Sequence, residues 1–154
     1  MIIRRADKND IDGINTLLYQ VNNVHADGRS DLFIHGRKKY TDSELLQIIY
    51  DDTRPIYVAL NDRQIVGYAF CVYEEPKSAN LVSVKTMYID DICVLESKRG
   101  KHIGTEIYNF VRNEAKKNNC YHITLNVWAL NDGAMKFYQK CGLAPLKTTM
   151  EDIL

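Results

Sequence analysis

The sequence predicts an α/β domain in which a mixed sheet carries helices on both faces. Three observations lead to this prediction. Between Tyr88 and Trp128 a strand-like run, a helix-like run and a second strand-like run follow one another, so the two strands should be parallel. Upstream, two strand-like runs flank the turn-like segment 61–63, which predicts an antiparallel hairpin. The length of 154 residues suits one domain with one core, spanning residues 1–154.

The composition excludes several classes of protein. Lysine and arginine number 20, as do aspartate and glutamate, so the net charge favours neither nucleic acid nor a membrane surface as a partner. No apolar run approaches the ~20 residues of a membrane span, and the N-terminus is charged too early for a signal peptide. The four cysteines form no C-x-x-C pair, which favours reduced, buried thiols. We therefore expect a cytoplasmic chain with no nucleic-acid or membrane partner.

The first third of the chain predicts a strand, a helix and a long irregular segment. The strand is expected at Met1–Ala6, and acidic residues at 7–10 mark the start of the helix. Apolar residues then repeat at helical spacing and form one face: Ile14, Leu17, Leu18 and Val21. The periodicity fails from Asn22 to Tyr40. Segments of this length without periodicity are often binding loops, although disorder without a role is an alternative.

The middle of the chain predicts a short helix and the hairpin. Thr41 followed three residues later by Glu44 has the form of a capping box, which begins a helix. The hairpin strands are expected at Pro55–Leu60 and Gln64–Tyr73. Gly67 inside the second of these strands predicts a bulge or a close approach of another backbone.

The second half predicts the elements that surround a ligand site. In order, these are a strand within Val82–Val94, a helix at Ile103–Asn118, a strand at Tyr121–Trp128, a helix at Asn131–Cys141 and a last strand at Met150–Leu154. Gly142 is expected to cap the fourth helix. In open α/β sheets, ligands bind beyond the carboxyl ends of parallel strands. The segment that follows Val94 lies at such an end.

That segment has the features of an anion-binding loop. Residues 99–105 form a basic, glycine-punctuated stretch that leads directly into the helix beginning at Ile103. The start of a helix offers unpaired backbone N–H groups and the positive end of the helix dipole, and Arg99 and Lys101 add positive charge. The spacing of Gly100 and Gly104 matches neither a Walker loop nor a dinucleotide fingerprint. We expect a phosphate here.

This loop resembles the coenzyme A pyrophosphate loop of the GNAT acetyltransferases, which has the pattern Arg/Gln-x-x-Gly-x-Gly/Ala. Arg99 and Gly104 match the ends of the pattern, and His102 replaces its middle glycine. A second signature of the family is similar to the stretch that begins at Asn131, and the opening of the chain is similar to the family's usual start. The matching residues are Asn131, Ala134, Phe137, Tyr138, Gly142 and Leu143, with Ile3, Arg4, Ala6 and Asp10 at the opening.

The resemblance implies a fold and an activity. The fold would be that of a GNAT acyl-CoA N-acyltransferase, with a largely antiparallel sheet of six to seven strands, one parallel strand pair and about four helices. The activity would be transfer of the acetyl group of acetyl-CoA to a primary amine by direct attack in a ternary complex. The acceptor would be a small-molecule amine or a protein amino group. Many members of the family form dimers, so a homodimer is open for this chain.

A second class of function stays open beside the enzyme. The chain could be a non-catalytic acyl-CoA-binding sensor or partner module that keeps the loop and has lost turnover. The departure at His102 is the feature that raises this alternative.

The resemblance assigns the catalytic roles to two residues. Tyr138 would protonate the departing thiolate; otherwise its ring simply packs in the helix. Asp90 would accept the amine's proton directly or through water; otherwise it is solvated or paired with a Lys or Arg. Because adjacent residues of a strand face opposite sides, only one of Asp90 and Asp91 should point into the cleft. Cys93 has no recognisable histidine partner, which favours direct attack over an acetyl-cysteine intermediate.

The remaining site residues would bind the cofactor. The strand end would offer its backbone to the pantetheine arm and to the oxyanion if a bulge frees an N–H group, whereas ordinary core packing is the alternative for Ile92 and Val94. Asn131 could instead be a helix N-cap. No histidine has metal-ligand spacing, so no metal is expected. The cofactor-binding residues implied are Ile92, Cys93, Val94, Arg99, Gly100, Lys101, His102, Ile103, Gly104, Thr105, Asn126, Asn131, Ala134, Phe137 and Tyr138.

Overall fold

The computed structural model describes all residues from 1 to 154 and contains one five-stranded sheet. Its strands lie in the order β1-β2-β3-β4-β5. The last pair, β4 and β5, is parallel and the others are antiparallel, which confirms the predicted mixed sheet. The strands are β1 Ile2–Arg5, β2 Ile56–Asn61, β3 Gln64–Glu74, β4 Thr86–Val94 and β5 His122–Leu125.

Four α-helices cover the two faces of the sheet. They are α1 Ile11–Gly28, α2 Asp42–Ile49, α3 Ile103–Lys117 and α4 Asp132–Lys140. The apolar sides of α1 and α2 form one core cluster with β2 and β3, and the apolar side of α3 forms a second cluster on the opposite face. Helix α1 runs seven residues beyond the predicted boundary at Val21, because Ala26 is fully buried and extends the packed face. The irregular segment therefore begins at Arg29.

The predicted capping box and hairpin are both present. The Thr41 side chain accepts from the backbone of Glu44, and the Glu44 side chain accepts in return from the backbone of Thr41. The hairpin turn places Asp62 and Arg63 at φ +47° and +67°, the positive values that two-residue hairpin turns require. Gly67 has no room for a side chain, since a Cβ there would lie 2.9 Å from the backbone carbonyl oxygen of Cys93 and 2.6 Å from Ile107 Cδ1. The predicted close approach is confirmed.

Strand β4 contains a bulge at Asp90. Phe70 of β3 lies opposite Asp91, and Cys71, the next residue of β3, lies opposite Ile89. Asp90 is therefore the extra residue. A bulge bends its strand and disrupts the local ladder, and the pairing of β4 with β5 ends at this point, at Ile89 and Leu125.

Three strand predictions need correction. Residues 150–154 form no strand, so the sheet has five strands and not six to seven. The apolar side chains of Met150 and Ile153 are largely exposed and find no sheet edge within the chain. Strand β5 ends at Leu125 and not at Trp128 because β4 diverges at its bulge, and β4 begins at Thr86 and not at Val82.

The four helices are too short or too polar for any of them to span a lipid bilayer.

Candidate active site

The loop that precedes α3 presents a row of unbonded backbone N–H groups. The N–H groups of Lys98 and Arg99 donate to the carbonyls of Leu95 and Glu96, and the N–H group of Glu106 donates to the carbonyl of His102. Between them, the N–H groups of residues 100–105 donate to no acceptor in the protein. These groups and the positive end of the α3 dipole form a site for an anion.

The backbone of this loop explains how a histidine occupies a glycine position. Gly100 has φ +76°, and His102 has φ +60° and ψ +8°, the left-handed conformation that glycine adopts most easily. A residue with a side chain adopts it at a cost of about 1–2 kcal/mol. His102 therefore adopts the backbone conformation that a glycine would adopt, and its N–H group donates to no acceptor in the protein.

The second half of β4 has a free edge beside this loop. Strand β5 pairs only with residues 86–89 of β4, so Asp90–Val94 has no strand on the side that faces away from β3. An extended ligand can bind such an edge as an added strand does. Arg99 folds back towards it, and its Nε donates to the Val94 carbonyl at 3.4 Å.

Helix α4 packs against the front of α3. A Cβ on Gly104 would lie 3.3 Å from the Phe137 ring and 3.6 Å from Val94, so the glycine allows the two helices and the end of β4 to meet. The Asn131 side chain accepts a hydrogen bond from the Ala134 N–H at 3.0 Å, so Asn131 is the N-cap of α4. Phe137 of the predicted signature therefore lies beside the loop.

Tyr138, the residue after Phe137 in α4, is buried. Burial first, and then the Asp91 carboxylate, raise the pKa of its hydroxyl above the ordinary value. The hydroxyl donates no hydrogen bond to the protein. Tyr138 therefore presents a neutral, protonated hydroxyl near neutral pH.

The bulge places both aspartates of β4 on the face covered by α1 and α2. Asp90 Oδ2 accepts hydrogen bonds from Lys39 Nζ at 2.6 Å and from the Tyr40 hydroxyl at 3.0 Å. Asp91 Oδ2 accepts from the Tyr68 hydroxyl at 2.5 Å. The expected alternation, with one carboxylate on each side, is wrong because the extra residue breaks the two-residue repeat.

Different surroundings distinguish the two carboxylates. Asp90 is paired with Lys39, the ion pair that sequence reasoning left open, and its side chain is 21% exposed. Asp91 has no cationic partner, and burial raises its pKa to about 6 against the opposing effect of Tyr68. Burial lowers the pKa of Lys39, but the hydrogen bond and charge of Asp90 outweigh it and raise the net value.

Comparisons with known proteins identify the family. The family model described as the acetyltransferase (GNAT) family matches residues 20–143. The chain belongs to the GNAT family. This confirms the resemblance, and GNAT acetyltransferases use acetyl-CoA as the acetyl donor.

Solved structures show the same architecture. A mutant of the BH1408 protein of Bacillus halodurans is 30% identical and superposes with a TM-score of 0.95 over 100% of this chain and 99% of that one. Aminoglycoside N-acetyltransferase AAC(6')-Iy in complex with CoA is 18% identical and has a TM-score of 0.73, over 99% of this chain and 98% of that one. The second likeness, at this low identity, concerns the fold alone.

One curated relative is an acetyltransferase. Glucosamine 6-phosphate N-acetyltransferase of Candida albicans is 33% identical over 86 residues, which is 56% of this chain and 55% of that protein. The chain therefore spans about half the length of the curated relative that it matches.

A cluster of three aromatic rings, which the sequence did not predict, lies at the start of α4. The rings of His25 and Phe33 lie 5.0 Å apart, and those of Phe33 and Trp128 lie 5.4 Å apart. With Asn131 and Arg29 they line a small cavity of about 60 Å³. Burial, and then the charge of Lys39, lower the pKa of His25, which favours the neutral imidazole.

Sequence reasoning missed Lys39, Tyr40 and Tyr68. The first two fall within the segment predicted as a binding loop, but Asp90 is 51 and 50 residues away from them. No local spacing could indicate these contacts. Among the predicted cofactor residues, Asn126 is exposed, and its Nδ2 donates to the Tyr88 hydroxyl at 3.2 Å.

The cysteines of the GNAT domain are all unpaired. Cys93 is buried, and burial raises its pKa to about 12, so it stays a thiol and makes a poor nucleophile. No group of three or more His, Cys, Asp or Glu side chains is arranged to hold a metal ion.

Proposed function

We propose that this GNAT domain transfers the acetyl group of acetyl-CoA to a primary amine by direct attack in a ternary complex. The observation that carries the proposal is the juxtaposition of two backbone surfaces that no neighbouring strand covers. One is the row of free N–H groups at residues 100–105, and the other is the free edge of β4 at Asp90–Val94. A diphosphate suits the first surface and an extended amide-containing arm suits the second.

The cofactor would lie along this corner of the domain. The N–H groups of the loop would bind the pyrophosphate, with Arg99 and Lys101 adding positive charge. The backbone of Ile92–Val94 would bind the pantetheine arm. The Gly104–Phe137 contact holds α4 against the loop, so this helix would close the far side of the cleft and bring Tyr138 to the thioester.

The residues of the chain supply the acid that the reaction needs. Attack of an amine on a thioester develops negative charge on the carbonyl oxygen and then on the departing sulfur. The bulge at Asp90 interrupts the ladder, so a backbone N–H of β4 would be available to the oxyanion. Tyr138, whose raised pKa keeps it protonated, would donate its proton to the thiolate.

Asp90 would receive the acceptor. Its carboxylate binds one ammonium group of the protein itself, that of Lys39, at 2.6 Å, which supports a site for a cationic group at this position. Asp90 would bind the acceptor's ammonium and take its proton directly or through an ordered water molecule. The buried Cys93 thiol, with its raised pKa, supports direct attack over an acetyl-cysteine intermediate.

The acceptor we favour is a small cationic amine. The carboxylate of Asp90 would recognise the charge of the ammonium group, and the rings of His25, Phe33 and Trp128 would offer an apolar surface to part of the molecule. The Candida albicans relative is named for glucosamine 6-phosphate, so amino sugars belong among the compounds to be tested.

Two measurements test the proposal in sequence. Calorimetry with coenzyme A should give a binding isotherm, and mass spectrometry should then detect acetylated product from a panel that includes spermidine, glucosamine 6-phosphate, an aminoglycoside and a lysine peptide. No heat with coenzyme A would overturn the assignment. Binding without transfer to any amine would favour the alternative, a non-catalytic acyl-CoA sensor.

A further inference from the structure

The ammonium group that lies on Asp90 belongs to the protein itself. Lys39 Nζ lies 2.6 Å from Asp90 Oδ2, and the Tyr40 hydroxyl lies 3.0 Å from the same oxygen. Asp90 is the bulged residue at which β5 leaves β4. Lys39 therefore places a primary amine at the point where the β4–β5 cleft begins.

No other ion-paired lysine of the chain is placed in this way. Lys38 binds the carboxylate of Asp42 and the amide of Asn15, at the start of α2. Lys117 pairs with Glu114 on the exposed side of α3. Lys38 is a matched comparison for Lys39, since it is the adjacent residue and carries the same side chain.

Lys39 also has the freedom to move towards a reacting group. It belongs to the irregular segment between α1 and α2, and its side chain is 51% exposed. It is held at its tip by Asp90 and lies 5.3 Å from the centre of the Tyr40 ring. A side chain anchored at the tip and exposed along its stem can shift by a few ångströms without unpacking a core.

We propose that Lys39 is an internal acceptor, which the enzyme acetylates on its ε-nitrogen when no external amine occupies the cleft. The inference rests on the proposed acetyl transfer at this site. A resident amine beside the reacting carbon gains the advantage of proximity that an intermolecular acceptor lacks. External amines compete with Lys39 for the carboxylate of Asp90.

The step follows the chemistry proposed for the external acceptor. The Lys39 ammonium gives one proton to Asp90, which passes it to water. The neutral ε-nitrogen attacks the thioester carbon, a C–N bond forms, and the C–S bond breaks with its electron pair leaving on sulfur. Tyr138 protonates the thiolate and regains a proton through water from the new amide nitrogen. The products are ε-N-acetyl-Lys39, coenzyme A and one released proton.

Labelling with acetyl-CoA alone tests the inference. The purified protein is incubated with acetyl-CoA that carries ¹³C in the acetyl group, and peptide mass spectrometry locates the label. We expect Lys39 to be labelled at least about tenfold faster than any other lysine. The rate constant should not depend on protein concentration, since the transfer is intramolecular. Spermidine or another accepted amine should slow it.

Three variants separate this reaction from non-specific acetylation. Lys39→Arg should remove the label from that peptide, whereas the neighbouring Lys38→Arg should leave it unchanged. Asp90→Asn should slow the labelling of Lys39 about tenfold, because the ammonium loses its anchor and its proton acceptor. Label spread over exposed lysines and insensitive to Asp90→Asn would overturn the inference.

The outcomes distinguish this inference from the proposed function. Acetylation of external amines with Lys39 unlabelled would overturn the internal acceptor and leave the enzyme assignment standing. Absence of both label and coenzyme A binding would overturn both. Labelling of Lys39 that becomes faster with protein concentration would show transfer between molecules and would also overturn the inference.

Discussion

The proposed cofactor corner and the proposed acceptor side of the cleft are built from different parts of the chain. The corner consists of backbone groups from one continuous stretch, residues 100–105, beside the end of β4. The acceptor side consists of side chains that are far apart in sequence, such as Lys39 and Asp90. A surface made of backbone tolerates changes of side chain, whereas a surface made of side chains changes its chemistry with each substitution. Substitutions in the two regions should therefore differ in kind.

The largest effect is expected at Tyr138, where the two regions meet. Tyr138→Phe removes the hydroxyl that would protonate the leaving thiolate, so kcat should fall about 10³-fold, while the dissociation constant for coenzyme A stays the same. Steady-state kinetics and calorimetry measure the two quantities. The control is Tyr121→Phe at an exposed ring. A kcat within twofold of the unmodified enzyme would mean that Tyr138 only packs through its ring.

The next largest effect concerns stability at Asp91. Its folded-state pKa of about 6 lies above the ordinary 3.8, so between these pH values the folded state holds a proton that the unfolded chain releases. The free energy of unfolding should then fall by about 3 kcal/mol as the pH rises through this window. Asp91→Asn should lack this loss and be more stable than the unmodified protein at pH 7.

Urea unfolding at pH 4 and pH 7 checks the prediction for Asp91. The control is Asp52→Asn, which alters a fully exposed carboxyl and should leave the pH dependence unchanged. An Asp91→Asn protein with the same pH dependence as the unmodified one would contradict a half-buried carboxyl that holds a proton.

A smaller, region-specific effect is expected at Asp90. Asp90→Asn keeps the shape of the side chain and removes the charge that binds the acceptor's ammonium, so kcat/KM for a cationic amine should fall about tenfold, or about 1.4 kcal/mol. Coenzyme A affinity should not change. An equal loss of affinity for coenzyme A would mean that the two regions are not separable in this way.

The smallest effect is expected at His102. Because the loop would bind the diphosphate through its backbone, His102→Ala should change the dissociation constant for coenzyme A by less than about twofold. Arg99→Ala, which removes a charge, should weaken the binding of coenzyme A about fivefold.

His102→Gly should raise the free energy of unfolding by no more than about 1 kcal/mol, since it replaces a residue that is held in the left-handed conformation. Calorimetry and thermal unfolding measure these differences.

The fold was predictable where its signals were local. The capping box of Thr41 and Glu44, the hairpin turn at residues 61–63 and the parallel pair β4–β5 all follow from short spacings and chain order. The prediction of a last strand at residues 150–154 failed because a strand needs a partner edge, and apolar composition alone does not supply one.

The site was predictable in its backbone part and only partly in its side-chain part. The sequence placed the N–H groups of residues 100–105 at a helix start, and the structure keeps them free. It named Asp90 and Asp91 but assigned them to opposite sides, because the period of a strand holds only where no residue is inserted. The bulge depends on the register between β3 and β4, which no local pattern encodes.

The sequence by itself determined the α/β order, the basic helix start at residues 99–105 and the resemblance to the GNAT family, because each is read from short local patterns and from their order along the chain. Only the tertiary structure decided the bulge, the aspartates' shared face and the contact of Lys39 with Asp90. Those features arise from the pairing of segments about 20 to 50 residues apart, and such pairing is settled by packing of the whole core and not by local preference.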